Sequence, residues 1–375
     1  MHDFDIDAER IKLERLLGAS EGSLAYLSTT HSSLVRAFRE DFSDALYRRH
    51  QDNYARLAKL SRVLPVGVSA KLAETVLGAV LGAGVAGEMD PDRAGKLAGK
   101  LSAAFLAKLS VHLEPHRATK IIGKIPQAVI VAVAQELARK EEYITLARFV
   151  TAIDSQTLHA VMDAIPSADA LLRVGIFVEQ RESLSDLLEQ LSDQRRQDIL
   201  AAATKAKLWP QMLVLMTHLN DKMKGIMGDA VVALGDDLMA FILETCREHK
   251  LWEPLILTVA NMSADNRRLV LALPLLHDME MLKSLLDDIH NENLWPLFAH
   301  LWTDASEQTL TCSFEVLADN GEWLAGLLRA ATDAGLQGEL KKELQRLPSP
   351  LYERLALAAT ASCGDELAAL MTTVD

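Results

Sequence analysis

Six cations at a repeated spacing are the side chains in this sequence best placed to do chemistry. Arg93, Lys96 and Lys100 stand at i, i+3 and i+7, and Arg117, Lys120 and Lys124 take the same places in the next segment. On a helix these three positions fall within about 60° of one another. Two such segments stacked side by side would present one positive surface. Like charges so placed repel by roughly a few tenths of a kcal/mol each unless an anion offsets them. The chemistry on offer is therefore docking of an acidic protein surface, of anionic lipid head groups, or of the chain's own acidic half. A solvated face kept for solubility is the plainer account of the same residues.

Patterns that would support catalysis or metal binding are weaker. His112 and His116 are four apart, the spacing of two ligands on one helix face, but Pro115 lies between them and marks a helix boundary. Gly82, Gly84 and Gly87 match G-x-G-x-x-G after an apolar run that could pass for a strand. Dinucleotide binding needs an uninterrupted helix after the third glycine, and here Asp90-Pro91 starts a new one. Small residues that let helices approach closely explain the glycines better. His290 with Asp287, Asp288 and Glu292 reads as a solvated helix end, and Asp236-Asp237 carries no mark of an acid–base pair. The sequence holds no G-x-S-x-G, H-E-x-x-H, P-loop or EF-hand pattern. No catalytic residue, metal or cofactor is expected.

The elements that must position the cations are helices in repeats. The segment from Met89 (MDPDRAGKLAGK) aligns without gaps with that from Leu113 (LEPHRATKIIGK). Each opens with an acid and a proline, which suit the cap and first turn of a helix. Apolar residues follow at Ala94, Leu97, Ala98 and Leu101, and at Ala118, Ile121, Ile122 and Ile125, which buries one helical face. Weaker openings stand at Ile153-Asp154, Leu191-Ser192 and Leu219-Asn220. A second register is marked by Leu208-Trp209, Leu251-Trp252 and Leu294-Trp295, spaced 43 residues apart, with a fainter unit in which Gln337 replaces the tryptophan. Periods of this length mean stacked helical repeats. The tryptophans read as wedges between repeats, the faint last unit as a cap.

Composition agrees. Aromatic residues make up only 5% and hydrophobic ones 49%, so a large core of helices is favoured over sheets. The net charge of −13 is unevenly spread: residues 63–140 sum to +4 and 141–375 to −17. That argues against nucleic acid as the main partner. Cys246, Cys312 and Cys363 are too few and scattered for a disulfide framework, which fits a reducing cytoplasm. The acidic start is no secretory signal. The longest uncharged apolar run, Thr75 to Gly87, falls short of the ~20 residues a membrane span needs, so no transmembrane segment is expected, while peripheral membrane contact stays open.

The units at Met89, Leu113 and Ile153 share an apolar-acid opening, followed by proline in the first two, and Ile125-Pro126 and Ile165-Pro166 stand twelve or thirteen positions on in the last two; on these features they resemble the helical repeats of the cytoplasmic N-terminal domain of MgtE magnesium transporters. The middle domain of the flagellar motor switch protein FliG is similar. The likeness covers residues 89–175 well and the rest in style. It implies a helical superhelix and a regulatory or scaffolding role, without the regulatory and transmembrane domains that transport would need.

The expected fold is all-α, a right-handed α-solenoid. It is divided as an N-terminal helical segment (1–62), MgtE-like repeats (63–190) and Trp-marked repeats with a C-terminal cap (191–375), the last continuous with the repeats before it. The expected function is a non-enzymatic scaffold or regulator that binds another protein, acidic where it meets the cations at 93–124. The alternative is a carrier or sensor that holds an apolar, lipid- or sterol-like molecule between helices. Segment 67–87 and Met212, Met216, Met223 and Met227 are the candidates to line such a cavity.

Overall fold

The computed structural model describes residues 4–362, and every regular element among them is helical. The protein is all-α, as its composition and 3.6-residue periodicity predict. Its contacts divide the chain between Arg181 and Glu182 into an N-terminal and a C-terminal unit. Neither sequence-based boundary, at 62 or at 190, coincides with this one. Residues 4–62 pack into the repeats that follow them and share their unit.

In the N-terminal unit α1 (Phe4–Leu17) lies on α2 (Ser32–Ser61), a helix of 30 residues that packs in turn on later helices. α3 (Val66–Leu72) runs through a π-helical turn, Ala73–Leu77, into α4 (Gly78–Gly87), with Gly78 at φ +73° between them. The stretch Val66–Gly87 spans 22 residues and is long and apolar enough to cross a membrane by length and composition, although the uncharged run within it is shorter. Only 28% of its most apolar window is buried.

The repeats follow as α5 (Pro91–Ala98), α6 (Ala103–His112), α7 (Pro115–Ile122), α8 (Gln127–Arg139), α9 (Tyr143–Phe149), α10 (Ser155–Ala164) and α11 (Ala168–Phe177). Asp90 caps α5 by accepting from the Arg93 N–H, and Asp154 caps α10 from Thr157 in the same way. The expected cap at Glu114 does not form, because its carboxylate is drawn to Ser43 and Arg148. α5 and α7 meet so closely that a Cβ on Gly95 would lie 2.4 Å from the Lys124 carbonyl oxygen, so only glycine fits there. One core joins Ala107, Ala134, Leu137, Leu146 and Val161; another joins Ala83, Leu109, Leu113, Ala118 and Ile122.

The C-terminal unit contains α12 (Leu184–Glu189), α13 (Asp193–Ala206), α14 (Trp209–Thr217), α15 (Asp221–Val232), α16 (Asp236–His249), α17 (Trp252–Ala260) and α18 (Ala264–Leu271). It continues with α19 (Met279–Asn291), α20 (Trp295–Trp302), α21 (Glu307–Ala318), α22 (Gly321–Asp333), α23 (Gln337–Leu344) and α24 (Ser349–Ser362). The helices that begin with tryptophan stack in order, α14 on α17 and α17 on α20, and α20 then packs on α22. Trp209, Trp252 and Trp295 are all buried, which makes them wedges, as expected. The Trp209 indole donates to Thr204 and that of Trp252 to Ser284, both at 2.9 Å. Met212, Met216, Met223 and Met227 are buried core as well.

Each Trp-led helix is preceded by the same backbone device. Lys207, Lys250 and Asn293 take φ of 55°, 54° and 53°, and Gly335 takes 72° ahead of Gln337. The next residue's N–H then reaches back five positions: Leu208 to Ala203 O, Leu251 to Cys246 O, Leu294 to Ile289 O and Leu336 to Ala331 O, all at 2.8–2.9 Å. This is the Schellman cap, which satisfies helix-end carbonyls and reverses the chain. Glu141, at φ 58°, does the same before Tyr143, with Glu142 N–H donating to Leu137 O. The C-terminal register therefore has a copy in the N-terminal unit, with tyrosine in place of tryptophan.

Non-glycine residues at positive φ carry a steric cost that glycine does not. Lys250→Gly should therefore raise stability by about 0.5–1 kcal/mol, whereas Gly335→Ala should lower it by about 1 kcal/mol. Urea unfolding followed by far-ultraviolet circular dichroism checks both, and a loss on Lys250→Gly would refute the cap assignment.

Candidate functional site

The N-terminal unit is organised around α2, whose buried residues are only Val35, Arg39 and Ala58. A helix with so little apolar burial is held by its polar side chains. Their spacing, Arg36, Arg39, Ser43, Tyr47, His50 and Tyr54, is that of one helical stripe. At its N-terminal end Glu9 accepts from Lys12 at 2.9 Å, Arg36 at 3.1 Å and Arg39 at 3.2 Å. Glu179, from beyond α11, accepts from the same Lys12 at 3.0 Å and Arg39 at 2.8 Å. Burial pushes the Lys12 ammonium below its ordinary pKa, against the pull of Glu9 and Glu179. Midway along α2, Tyr47 donates to Glu88 at 2.8 Å while the Arg117 guanidinium lies 3.5 Å from its ring centre. Burial and Glu88 hold the Tyr47 phenol well above its ordinary pKa.

The six cations read from the repeats divide by chemistry. Arg93 bonds to the Ser61 carbonyl and, at 2.6 Å, to that of Leu64, so it satisfies the C-terminal end of α2, where positive charge is also favoured by the helix dipole. Arg117 bonds to Asp44 on α2. Lys124 pairs with Asp92 at 3.0 Å on the surface. Lys96, Lys100 and Lys120 are exposed, and none of the three forms an ion pair among the described residues. The two arginines at the first repeat position thus grip α2, and the free charge of the face is carried by lysines.

The helical stretch Val66–Gly87, whose first helix packs on α5, exposes apolar side chains at a four-residue spacing, Val68, Leu72, Val76 and Val80, with Leu60 and Val63 just before it. Val63 is 83% exposed and Val76 72%. The other side of α4 is packed. Gly82 lies against Leu109, Gly84 beneath the Tyr54 ring and Gly87 against the Tyr47 hydroxyl, close enough that a Cβ on Gly84 would meet that ring at 2.5 Å. The G-x-G-x-x-G match is thus helix packing.

A cleft of about 790 Å³ opens between α1, α2, α4, the junction of α6 with α7, and α9. Lys12, Arg15, Arg39, Arg117 and Arg148 line it, against one carboxylate, Glu114. Arg15 pairs with Glu142 and Arg148 with Glu114. Burial raises the Glu114 carboxyl, but Arg148, Ser43 and Arg39 outweigh it and hold the group below its ordinary value of 4.5. His112 ends α6 and His116 belongs to α7, so the two imidazoles sit on different helices. No group of three histidine, cysteine, aspartate or glutamate side chains able to hold a metal occurs among the described residues.

In the C-terminal unit His290 packs its ring by the edge of Trp295, and Asp288 and Glu253 are raised by burial and by neighbouring acids. Asp236 and Asp237 occupy the first turn of α16, where the helix dipole favours them. Of the cysteines, Cys246 is buried with its thiol pushed up by burial, Cys312 is half-buried, and Cys363 lies outside the described residues.

Glu114 and Glu179 are both held below the ordinary carboxylate value of 4.5 in the folded chain, their cations overcoming burial. Their stabilising contribution is full above the unfolded pKa of about 4.3 and is lost as pH falls through the lower folded values. The melting temperature should drop between about pH 5 and pH 3, and the drop should be smaller in Glu114→Gln. An equal drop in that variant would show that this ion pair does not set the acid limit.

Compared with family models, with curated proteins and with solved structures, the chain finds no match.

Proposed function

We propose that this protein is a non-catalytic α-solenoid that scaffolds or regulates a partner protein, and that the partner docks on the N-terminal unit. What supports the reading is the exposed apolar row from Leu60 to Val80, together with the unpaired and exposed Lys96, Lys100 and Lys120 in the same unit. α5, which carries Lys96, packs on α3 and on α7. Exposed apolar patches of this kind mark interaction sites, and a charged rim selects a complementary partner. The partner is accordingly apolar where it meets α3 and acidic where it meets the lysines. The likeness of the units at Met89 and Leu113 to the MgtE and FliG repeats agrees with a regulatory role. A cytoplasmic location belongs to the same proposal and is supported by the free thiols of Cys246 and Cys312.

Native mass spectrometry of the chain gently purified from its own cells tests this. A bound polypeptide is expected, and the combined Lys96→Glu, Lys100→Glu and Lys120→Glu variant should weaken its binding by about tenfold or more. All three lysines are exposed, so the variant is expected to fold. A partner held equally by the variant would refute the basic rim, and a bare chain in both preparations would refute a stable complex.

A further inference from the structure

We propose that the cleft of the N-terminal unit binds a small acidic amphiphile: one carboxylate or phosphate group on an aliphatic body. Its volume of about 790 Å³ lies in the range of small-molecule sites, ~300–1,000 Å³. Its walls have two chemistries: the cations Lys12, Arg15, Arg39, Arg117 and Arg148, and the apolar Leu46, Leu57, Val80, Leu81 and Ala83.

The charge balance inside the cleft favours an anion, although the whole chain carries −13. Glu9, Glu179, Asp44 and Glu142 pair with the cations, but none of them lines the cleft, and Glu114 is the one acid that does. The carboxylates thus hold the cations in place from behind. Each guanidinium offers five N–H donors in a planar fork, more than one carboxylate can use. Arg117 reaches Asp44 through one terminal nitrogen, and its Nε–H is buried without a hydrogen-bond partner. Arg148 likewise reaches Glu114 through a single nitrogen. Burial, with Arg15 nearby, also lowers the pKa of His112 on the cleft wall.

The shape supports a chain-bearing ligand rather than a bare ion. Tyr54, pressed on Gly84, lines the cleft together with Leu46, Leu57, Val80 and Leu81, and Tyr47 carries Arg117 over its ring, so apolar surface and cation meet in one wall. An inorganic anion would use the cations and leave that apolar surface unfilled. An acid on an aliphatic chain satisfies both.

Isothermal titration of the full chain with decanoate and decyl phosphate, both kept below their micelle-forming concentrations, tests the proposal. Inorganic phosphate and decyltrimethylammonium serve as controls. One decanoate or decyl phosphate should bind per chain, and both controls should bind at least about tenfold more weakly. Val80 is 60% exposed, so substitution there leaves the fold intact. Val80→Asp, which sets a competing carboxylate on the cleft wall, should weaken decanoate by about tenfold, and Val80→Asn by much less. Inorganic phosphate binding as tightly as decyl phosphate would overturn the amphiphile and leave an anion site. The cationic amphiphile binding equally would overturn the charge argument, as would Val80→Asn and Val80→Asp having the same effect. No binding of either acid would overturn the site itself. Lys96, Lys100 and Lys120 do not line the cleft, so their glutamate variant should bind decanoate normally, which separates this result from that of the protein-docking reading.

Discussion

Short helices do not hold themselves in water, and most of those here run seven to fourteen residues. Everything else in the molecule depends on how they are stopped. Six of them end by placing one residue in the left-handed region, at Gly18, Glu141, Lys207, Lys250, Asn293 and Gly335, and sending the next N–H back to a carbonyl five positions earlier. The reversal fixes where the following side chain points. In the C-terminal unit the second residue after the left-handed one is three times a tryptophan, delivered into the core at the start of a new helix. Buried indole and backbone cap form one unit of construction. It repeats because the geometry of the cap leaves little freedom in the angle at which the next helix departs.

The N-terminal unit solves a different problem with the same parts. Its longest helix, α2, is too polar to be kept by the hydrophobic effect, and the repeats hold it instead with charge. Arg93 takes its C-terminal carbonyls, Arg117 its Asp44, and Glu114 its Ser43, while Glu9 and Glu179 share Lys12 and Arg39. The pairs of Glu9 with Lys12 and Arg39 are buried on both sides; such pairs contribute little net stability compared with apolar packing, but breaking one leaves a charge without a partner, at a cost of about 3–5 kcal/mol. Their effect is on geometry. They keep a space beside α2 that close apolar packing would have closed.

The architecture was legible in the sequence where it rests on short-range chemistry. Asp90-Pro91 and Asp154 announced helix starts that do form, the heptad-like apolar spacing marked the buried faces, and the 43-residue return of Leu-Trp marked wedges that are indeed buried. The copy of that register at Glu142-Tyr143 was missed because its aromatic differs and its distance from Trp209 is not 43. The boundary at Arg181 was illegible for a deeper reason: nothing near Glu179 in sequence says that its carboxylate belongs to Lys12. Periodicity also tells which residues share a face but not what lies opposite it. Arg93 and Lys96 looked equivalent, yet the first is spent inside the fold and the second is not. The stripe from Arg36 to Tyr54 stands at plain helical spacing, but nothing in its polar residues says which partners they meet.

The placement of the tryptophans has an optical consequence. Trp209, Trp252, Trp295, Trp302 and Trp323 all belong to the C-terminal unit, and the N-terminal unit carries only tyrosines as its phenol or indole chromophores. Excitation near 295 nm, which tyrosine absorbs poorly, therefore illuminates one half of the chain and leaves the other dark. Whatever happens around α2 passes unseen in indole emission unless it is transmitted across Arg181. Any change in that signal caused by an event at the cleft would itself measure how strongly the two halves are coupled.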